Sequence, residues 1–292
     1  MIAAESRTSS LDYLIRNRPG YVLGRVILYA VVIVGAIIFS IPFFWLMSTS
    51  FKTSGEVFVD PPIWIPQHLE WDNFFRPFRT VNFAVFYKNT MIITVVDILA
   101  TLLTASITAF AFARMRFRGR DKWFVVLLST MMLPGQVTLV PHYVLWTKLH
   151  LVNTLWPLII PSFFAGPFNV FLLRQFMMTI PNEMDDAARM DGATWFQIYY
   201  RIIVPLSAAA MGVVAIFNFT FHWNDFFGPL IYLNTPDKFT VALGLQLFQS
   251  RYNVDVPATM AMTFLSIIPV LIVFFVSQRS FIQGIVVSGI KG

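Results

Sequence analysis

The sequence predicts an all-α integral membrane protein with about six transmembrane helices, and three observations lead to this prediction. The chain of 292 residues is 57% hydrophobic and only 12% charged, whereas soluble domains usually carry about 25% charged residues. Its mean hydropathy is +0.68. Apolar stretches of about 20 residues, the length that crosses a bilayer as a helix, recur along the whole chain. Since no polar stretch between them is long enough for a soluble domain, a single membrane domain is predicted.

The candidate spans follow directly from these apolar stretches. They are residues 26–47, 88–113, 123–146, 155–178, 206–233 and 258–282. The first follows several arginines and superficially resembles a signal peptide, but it is too long for the apolar region of one and lacks a small-x-small cleavage site. An uncleaved first span is therefore predicted.

The basic residues predict the orientation of the chain. With the N-terminal segment 1–25 in the cytoplasm, fourteen of the 21 Lys and Arg lie on the cytoplasmic side, and the densest group falls in the short loop 114–122. Cytoplasmic loops carry such an excess. Both termini are thus predicted to be cytoplasmic, with the membrane domain over 26–282 and a tail over 283–292. The net charge of +6 then reflects topology and contact with lipid, and nucleic acid is not a predicted partner.

The sequence lacks the motifs of several classes of catalytic and metal-binding site. Cysteine is absent, which excludes disulfides, thiolate nucleophiles and cysteine metal sites. The sequence contains no HExxH or GxSxG motif and no phosphate-binding loop of the G-x-x-x-x-G-K-[ST] type, and its four histidines lack ligand spacing. No catalytic residue, metal site or bound cofactor is predicted, and transport is favoured over catalysis.

The segment 179–205 is too charged to cross a bilayer and has the pattern of a helix, a turn and a helix. Pro181 suits a first helical position. Glu183, Asp185 and Asp186 place negative charge in the first turn, where the helix dipole favours it. Gly192 is a typical stop after such a short helix.

The second helix of this segment has its own start signal. Thr194 and Gln197 form a capping box, and Pro205 marks the entry to the next span. On the first helix, i, i+3 and i+4 spacing predicts a shallow face for a protein partner. The predicted face consists of Met184, Ala187 and Ala188.

This segment resembles the EAA loop of the permease subunits of ABC importers. The family pattern is Glu-Ala-Ala, three residues, Gly, nine residues, then Ile-x-Leu-Pro. Here Asp186-Ala187-Ala188, Gly192 and the residues from Ile202 to Pro205 stand at those spacings. The chain departs from the pattern at Asp186, which replaces Glu, and at Val204, which replaces Leu.

The resemblance implies a division of labour among several chains in a prokaryotic plasma (inner) membrane. Two permease subunits form the pathway, two ATPase subunits bind ATP and Mg²⁺, and an extracytoplasmic solute-binding protein delivers the solute. The resemblance assigns coupling to the ATPase to Glu183, Asp185, Asp186, Ala187, Ala188, Asp191, Gly192 and Pro205. It assigns a further ATPase contact to the tail residues Gly289, Lys291 and Gly292.

Further short motifs resemble the carbohydrate branch of this family, in particular its maltose-type second permease. They include Phe51-Lys52-Thr53, Leu133-Pro134-Gly135 and the C-terminal tail. The resemblance implies a carbohydrate solute and a partner permease that is a different chain. A glycerol phosphate or another small polar solute is the alternative within the family. A secondary transporter is the alternative outside it, although such proteins usually have a second repeat that this chain lacks.

Polar residues near helix breakers are the candidates for the solute pathway, because broken helices line solute cavities in membrane proteins. They are Gln136, Asn169, Asn218, His222, Trp223, Asn224 and Asp225. Two readings stay open for Asn224 and Asp225, which could instead bond backbone groups freed near Gly228 and Pro229. For Asp97 in the second span, a structural hydrogen-bonding role is favoured.

Overall fold

The computed structural model describes residues 19–251 and 255–289, and the regular elements in these ranges are all helical. Four helical stretches are long and apolar enough to cross a membrane. They are Gly20–Ser50, Phe83–Arg114, Trp156–Met177 and Val256–Ser277. Two helix pairs also qualify, bent by 91° and 75° at short breaks. If each bent pair is one span, the described residues contain up to six candidate spans, the number predicted, although the fifth is Trp195–Asn224 and begins before the predicted boundary at 206.

The part of the chain that the structure describes begins with three helices, and the third of them, α3, is the central helix of the fold. Helix α1 is Pro19–Ser50, α2 is Asp72–Thr80 and α3 is Phe83–Arg114. Helix α2 lies in a loop for which no helix was predicted. Helix α3 begins five residues before the predicted boundary at 88, and the sequence signal is weak there because Lys88 and Asn89 interrupt the apolar run.

The third and fourth predicted spans are broken in the structure. Helices α4, Arg120–Ser129, and α5, Gly135–Lys148, meet at the 91° bend, which contains Pro134, a residue without a backbone N–H. The next span consists of α6, Trp156–Ile159, a 3₁₀ turn, Ile160–Phe163, and α7, Pro167–Met177. The breaks thus coincide with the Pro and Gly residues that the sequence marks.

The charged segment and the helices after it complete the chain. They are α8, Glu183–Met190; α9, Trp195–Ile198; a π-helical turn, Tyr199–Ile203; α10, Val204–Leu206; α11, Ala208–Asn224; α12, Phe227–Tyr232; α13, Val241–Arg251; and α14, Val256–Gly289. The sequence missed α13. Helix α14 runs past the predicted end of the span at 282, so the first part of the predicted tail is helical. Gly289 is the last residue of α14, and Lys291 and Gly292 lie outside the described residues.

Helix α3 contributes to two apolar clusters, one near each of its ends. Cluster 1 surrounds the end of α3 near the charged segment and contains Ala105, Ala109, Phe110, Val170, Leu173, Met177, Ile198, Tyr199 and Ile203, among others. Cluster 2 surrounds its beginning and contains Phe83, Phe86, Phe239, Val241, Phe248, Ala258 and Met262, among others. Because α3 packs in both, it connects the charged segment to the opposite end of the molecule.

The buried side-chain amide of Asn73 stabilises the loop that follows α1. Asn73 is 1% exposed, and its Nδ2 donates to the carbonyl oxygens of Ser50, at 3.0 Å, and Lys52, at 2.8 Å. The ammonium of Lys52 is also buried and lies 3.8 Å from the centre of the Trp45 ring. Burial lowers the pKa of Lys52, and the nearby Glu56 partly opposes this shift.

Replacing Asn73 with alanine should lower the free energy of unfolding by about 2 kcal/mol, because two buried carbonyls would each lose a hydrogen bond. Denaturant titration of the detergent-purified protein measures this loss. Gln67→Ala, an exposed change in the same loop, is the control and should have almost no effect. Equal stabilities of Asn73→Ala and the native chain would contradict the structural role of Asn73.

Candidate functional site

Helix α8 presents a broad exposed face beside the end of α3, because only Asp185 and Ala188 of its eight residues are not exposed. Glu183, Asp186, Ala187 and Met190 are exposed and stand at i, i+3, i+4 and i+7, so they share one face of the helix. Met190 is 89% exposed, and Ala187 between the longer side chains leaves the middle of this face shallow. We call these four residues the α8 outer face.

The exposed face of α8 includes Met184 and Ala187 of the predicted face and differs from it at Ala188. Ala188 is half-buried and packs against cluster 1, and Asp185 is 6% exposed. The helix is therefore rotated so that Asp185 points inward and Met190 outward. Sequence periodicity alone could not determine this rotation, although the spacing of Glu183, Ala187 and Met190 is compatible with it.

Gly192 ends α8 in the manner that the sequence predicts. Its φ of +82° lies in the left-handed region, which glycine adopts without steric cost. The N–H of Gly192 donates to the Arg189 carbonyl at 3.0 Å, and the N–H of Ala193 donates to that of Ala188 at 2.9 Å. These two bonds form a Schellman motif. A Cβ at Gly192 would meet nothing within 4 Å, so only the backbone conformation requires glycine.

The segment 179–205 has two arms: the first is α8 with the residues leading into it, and the second is α9 with the π-helical turn that follows. The second arm is anchored on α3. The capping box of Thr194 and Gln197 is confirmed. Tyr199 is buried, its hydroxyl lies 2.7 Å from the Ser106 hydroxyl of α3, and its ring is 5.4 Å from that of Phe110. Asp191 and Pro205 are exposed. The second arm thus rests on the same helix as the first.

Arg114 connects α3 to the first arm. Its side chain is 1% exposed. Nη1 donates to Asn182 Oδ1 at 2.5 Å, and Nη2 donates to the Ile180 carbonyl at 2.8 Å. Nη1 also lies 3.5 Å from Asp185 Oδ2. Burial raises the pKa of Asp185, the charge of Arg114 opposes this shift, and that of Asp186 adds to it. Sequence reasoning did not single out Arg114, because its role depends on a partner distant in the chain.

Three of the predicted pathway residues, His222, Trp223 and Asp225, contact groups of other helices. His222 Nδ1 lies 3.0 Å from Asp97 Oδ2. Trp223 is 3% exposed and its Nε1 donates to the Ser266 carbonyl at 2.9 Å. Asp225 Oδ1 accepts from the Gly228 N–H at 3.1 Å, which agrees with the backbone-bonding alternative for Asp225. These contacts connect α11 to its neighbours.

The other pathway candidates are more accessible. Gln136 and Asn224 are exposed, and the half-buried Asn218 donates to Asn169 Oδ1 at 3.3 Å. Asn224 belongs to an exposed stripe of α11 at i, i+3, i+4 and i+7 spacing that the sequence analysis did not identify. The α11 stripe consists of Phe217, Thr220, Phe221 and Asn224.

Metal binding finds no support in the part of the chain that the structure describes. Among residues 19–251 and 255–289, no three or more His, Asp or Glu side chains come together in a group that could hold an ion. Of the acidic residues of α8, Asp185 pairs with Arg114 in the interior, whereas Glu183 and Asp186 lie on the exposed surface.

Comparisons with known proteins identify the family to which the chain belongs. Residues 101–287 match the family described as "Binding-protein-dependent transport system inner membrane component". A putative ABC transporter permease protein, ORF2, of Caldicellulosiruptor sp. (strain Rt8B.4) is 36% identical over 89% of this chain and 94% of its own length. The arabinooligosaccharides transport system permease protein AraQ of Halalkalibacterium halodurans is 34% identical, with 86% and 91% covered.

A solved structure has the same fold. One chain of a bacterial ABC transporter involved in the import of the acidic polysaccharide alginate superposes with a TM-score of 0.78 at 22% identity. The superposition covers 90% of this chain and 98% of that one. At this identity the likeness concerns the fold.

Proposed function

Because this chain belongs to the family of binding-protein-dependent transport system inner membrane components, we propose that it couples solute movement to ATP hydrolysis by partner ATPase subunits through its segment 179–205. In this proposal the chain forms half of the pathway, and a second, different permease chain forms the other half. An extracytoplasmic solute-binding protein delivers the solute. ATP and Mg²⁺ are bound by the ATPase subunits.

The observation that carries the coupling proposal is the α8 outer face. An exposed short helix with a shallow alanine at its centre, flanked by Asp186 and Met190, suits insertion into a groove of another protein. Helix-in-groove recognition uses such i, i+3, i+4 and i+7 contacts. Both arms of the segment rest on α3, so a force on this face reaches a membrane span.

The proposed orientation places this face and both termini in the cytoplasm. The basic loop after Arg114 lies next to α8, and its residues Arg116 and Arg120 line a cleft with Asp186 and Arg189. A cluster of basic residues beside a span marks the cytoplasmic side. ATPase subunits are cytoplasmic, so the α8 outer face and the basic loop would meet them on that side.

The proposed solute is a carbohydrate. The name of AraQ, a relative at 34% identity, assigns it to transport of arabinooligosaccharides. In this chain the α11 stripe combines the aromatic rings of Phe217 and Phe221 with the polar groups of Thr220 and Asn224. Binding sites that combine apolar and aromatic walls with a few placed polar groups suit small polar ligands, and we place the α11 stripe on the wall of the pathway.

The test is a reconstituted assembly of this chain with its partner permease, ATPase subunits and binding protein, in which ATP hydrolysis is measured with and without oligosaccharide-loaded binding protein. Gly192→Val should reduce the stimulation about tenfold, since a β-branched residue in the left-handed region is strained and would displace the end of α8. Gly192→Asn is the matched control, because asparagine tolerates this conformation.

Two outcomes would contradict the proposal. If the native assembly contains no ATPase, or if loaded binding protein does not stimulate hydrolysis, the chain is not the coupling permease. If Gly192→Val and Gly192→Asn are both stimulated like the native chain, the segment 179–205 is not the coupling element. Uptake of labelled oligosaccharides, compared with labelled glycerol phosphate, decides the solute class.

A further inference from the structure

Helix α3 is bonded to the start of the coupling segment by a buried guanidinium. Arg114 is the last residue of α3, and its three polar partners all lie within residues 180–185, where the chain enters α8. They are the Ile180 carbonyl, the Asn182 side chain and the Asp185 carboxylate. A planar guanidinium that bonds several groups at once fixes their relative positions more tightly than a point charge does.

The buried pair of Arg114 and Asp185 contributes little to the stability of the fold. Burying two charges costs several kcal/mol per ion, which a close pair offsets only with good geometry and full hydrogen bonding. Here the carboxylate lies 3.5 Å from Nη1, and both Arg114 Nε and Asp185 Oδ1 are buried without a hydrogen-bond partner. Its contribution is therefore to geometry: it holds the first turn of α8 at a set position on α3.

The same helix continues the connection into the membrane. Asp97 of α3 accepts from the Ser162 hydroxyl at 2.7 Å and lies 3.0 Å from His222 Nδ1. Ser162 belongs to the broken fourth span and His222 to α11, the helix that carries the α11 stripe. The polar contacts of Asp97 thus connect α3 to two other spans.

We propose that Arg114 is the positioning residue that transmits movement of the ATPase-docked helix α8 to α3, and through α3 to the pathway helices. This inference rests on the proposed function, because it presumes that α8 docks on the ATPase. Arg114 itself is buried and does not form part of the α8 outer face. Its loss should therefore uncouple transport from hydrolysis without preventing the ATPase from binding.

The first test measures solute transported per ATP hydrolysed in the reconstituted assembly. Arg114→Gln should lower this ratio about tenfold, within the range of measured coupling energies, while the ATPase still copurifies. Arg114→Lys should give an intermediate ratio, since an ammonium retains the charge but not the planar fork. Lys148→Gln removes one positive charge from an exposed position at the end of α5 and should leave the ratio unchanged.

The proposal is overturned if Arg114→Gln lowers transport and hydrolysis in the same proportion, or if the ATPase no longer copurifies, because Arg114 would then support folding or docking only. An unchanged ratio overturns it as well. In each case the native assembly still shows stimulation by loaded binding protein, so the proposed function survives. Absence of stimulation in the native assembly would instead refute the proposed function.

A second test does not depend on the stability of Arg114→Gln. Since the chain has no native cysteine, the double variant Arg114→Cys, Asn182→Cys can be joined selectively by a short bis-methanethiosulfonate reagent. We expect a low transport ratio before cross-linking, recovery after it, and loss again on reduction. If the cross-linked assembly stays uncoupled, a fixed link between α3 and α8 is not what coupling requires, and the proposal fails.

Discussion

Replacing Asp97 with leucine is expected to lower the free energy of unfolding by about 3 kcal/mol, the cost of leaving the polar groups of Ser162 and His222 without their partner. Asp97 is fully buried. Its two carboxylate oxygens contact Ser162 and His222 on two other spans. Leucine has the same number of side-chain heavy atoms as aspartate and leaves no cavity, so the loss would come from the polar partners left without Asp97.

The size of this loss shows whether the contacts of Asp97 are stronger than ordinary hydrogen bonds between membrane helices. Hydrogen bonds between neutral groups of membrane helices contribute about 0.6 kcal/mol on average, so the loss of two such bonds would amount to little more than about 1 kcal/mol. Denaturant titration in detergent measures the difference. Asp97→Asn, which retains an acceptor for Ser162, should be less destabilising than Asp97→Leu. Leu99→Val, an exposed change on the same helix, is the control.

Replacing Gly244 with valine is expected to lower the free energy of unfolding by about 3 kcal/mol, at the upper end of the usual cost of overpacking. A Cβ at Gly244 would lie 2.2 Å from Cδ2 and 2.4 Å from Cε2 of Phe86. Phe86 is 1% exposed and packs within cluster 2, so its ring has little room to move. Either α13 or α3 must shift to accommodate the new side chain.

Two further variants make this prediction specific. Gly135→Val is the matched control, because a Cβ at Gly135 meets nothing within 4 Å. In the double variant Gly244→Val, Phe86→Leu, the smaller residue at 86 should recover part of the loss, which would appear as a favourable coupling energy in a double-mutant cycle. If Gly244→Val is as stable as the native chain, α13 does not pack on α3 as described.

The sequence predicts the local features of the candidate site well, because those features depend on neighbouring residues. The stop at Gly192 follows from a conformation that glycine adopts freely. The start at Thr194 follows from a side chain that bonds a backbone N–H three residues later, and the structure contains that bond. The bends in the membrane helices occur where the sequence places Pro and Gly.

Features that depend on distant contacts were not predicted. Helix α13 was not predicted, because its 11 residues are too few to cross a membrane. The inward rotation of α8 and the burial of Asp185 follow from the position of Arg114, which is remote from α8 in the chain. Trp223 and Asp225 were candidates for the pathway on residue type, whereas their bonds to the Ser266 carbonyl and the Gly228 N–H assign them structural contacts.

The sequence by itself determined that this chain is an α-helical membrane protein with about six spans, and its motif at 186–205 identified the family. Hydropathy and motif spacing are properties of short stretches, so they can be read without a structure. Only the tertiary structure decided which face of α8 is exposed, that both arms of the coupling segment rest on α3, and that Asp97 joins three spans. These facts depend on which side chains exclude solvent and lipid from one another, and that is settled only when the helices pack.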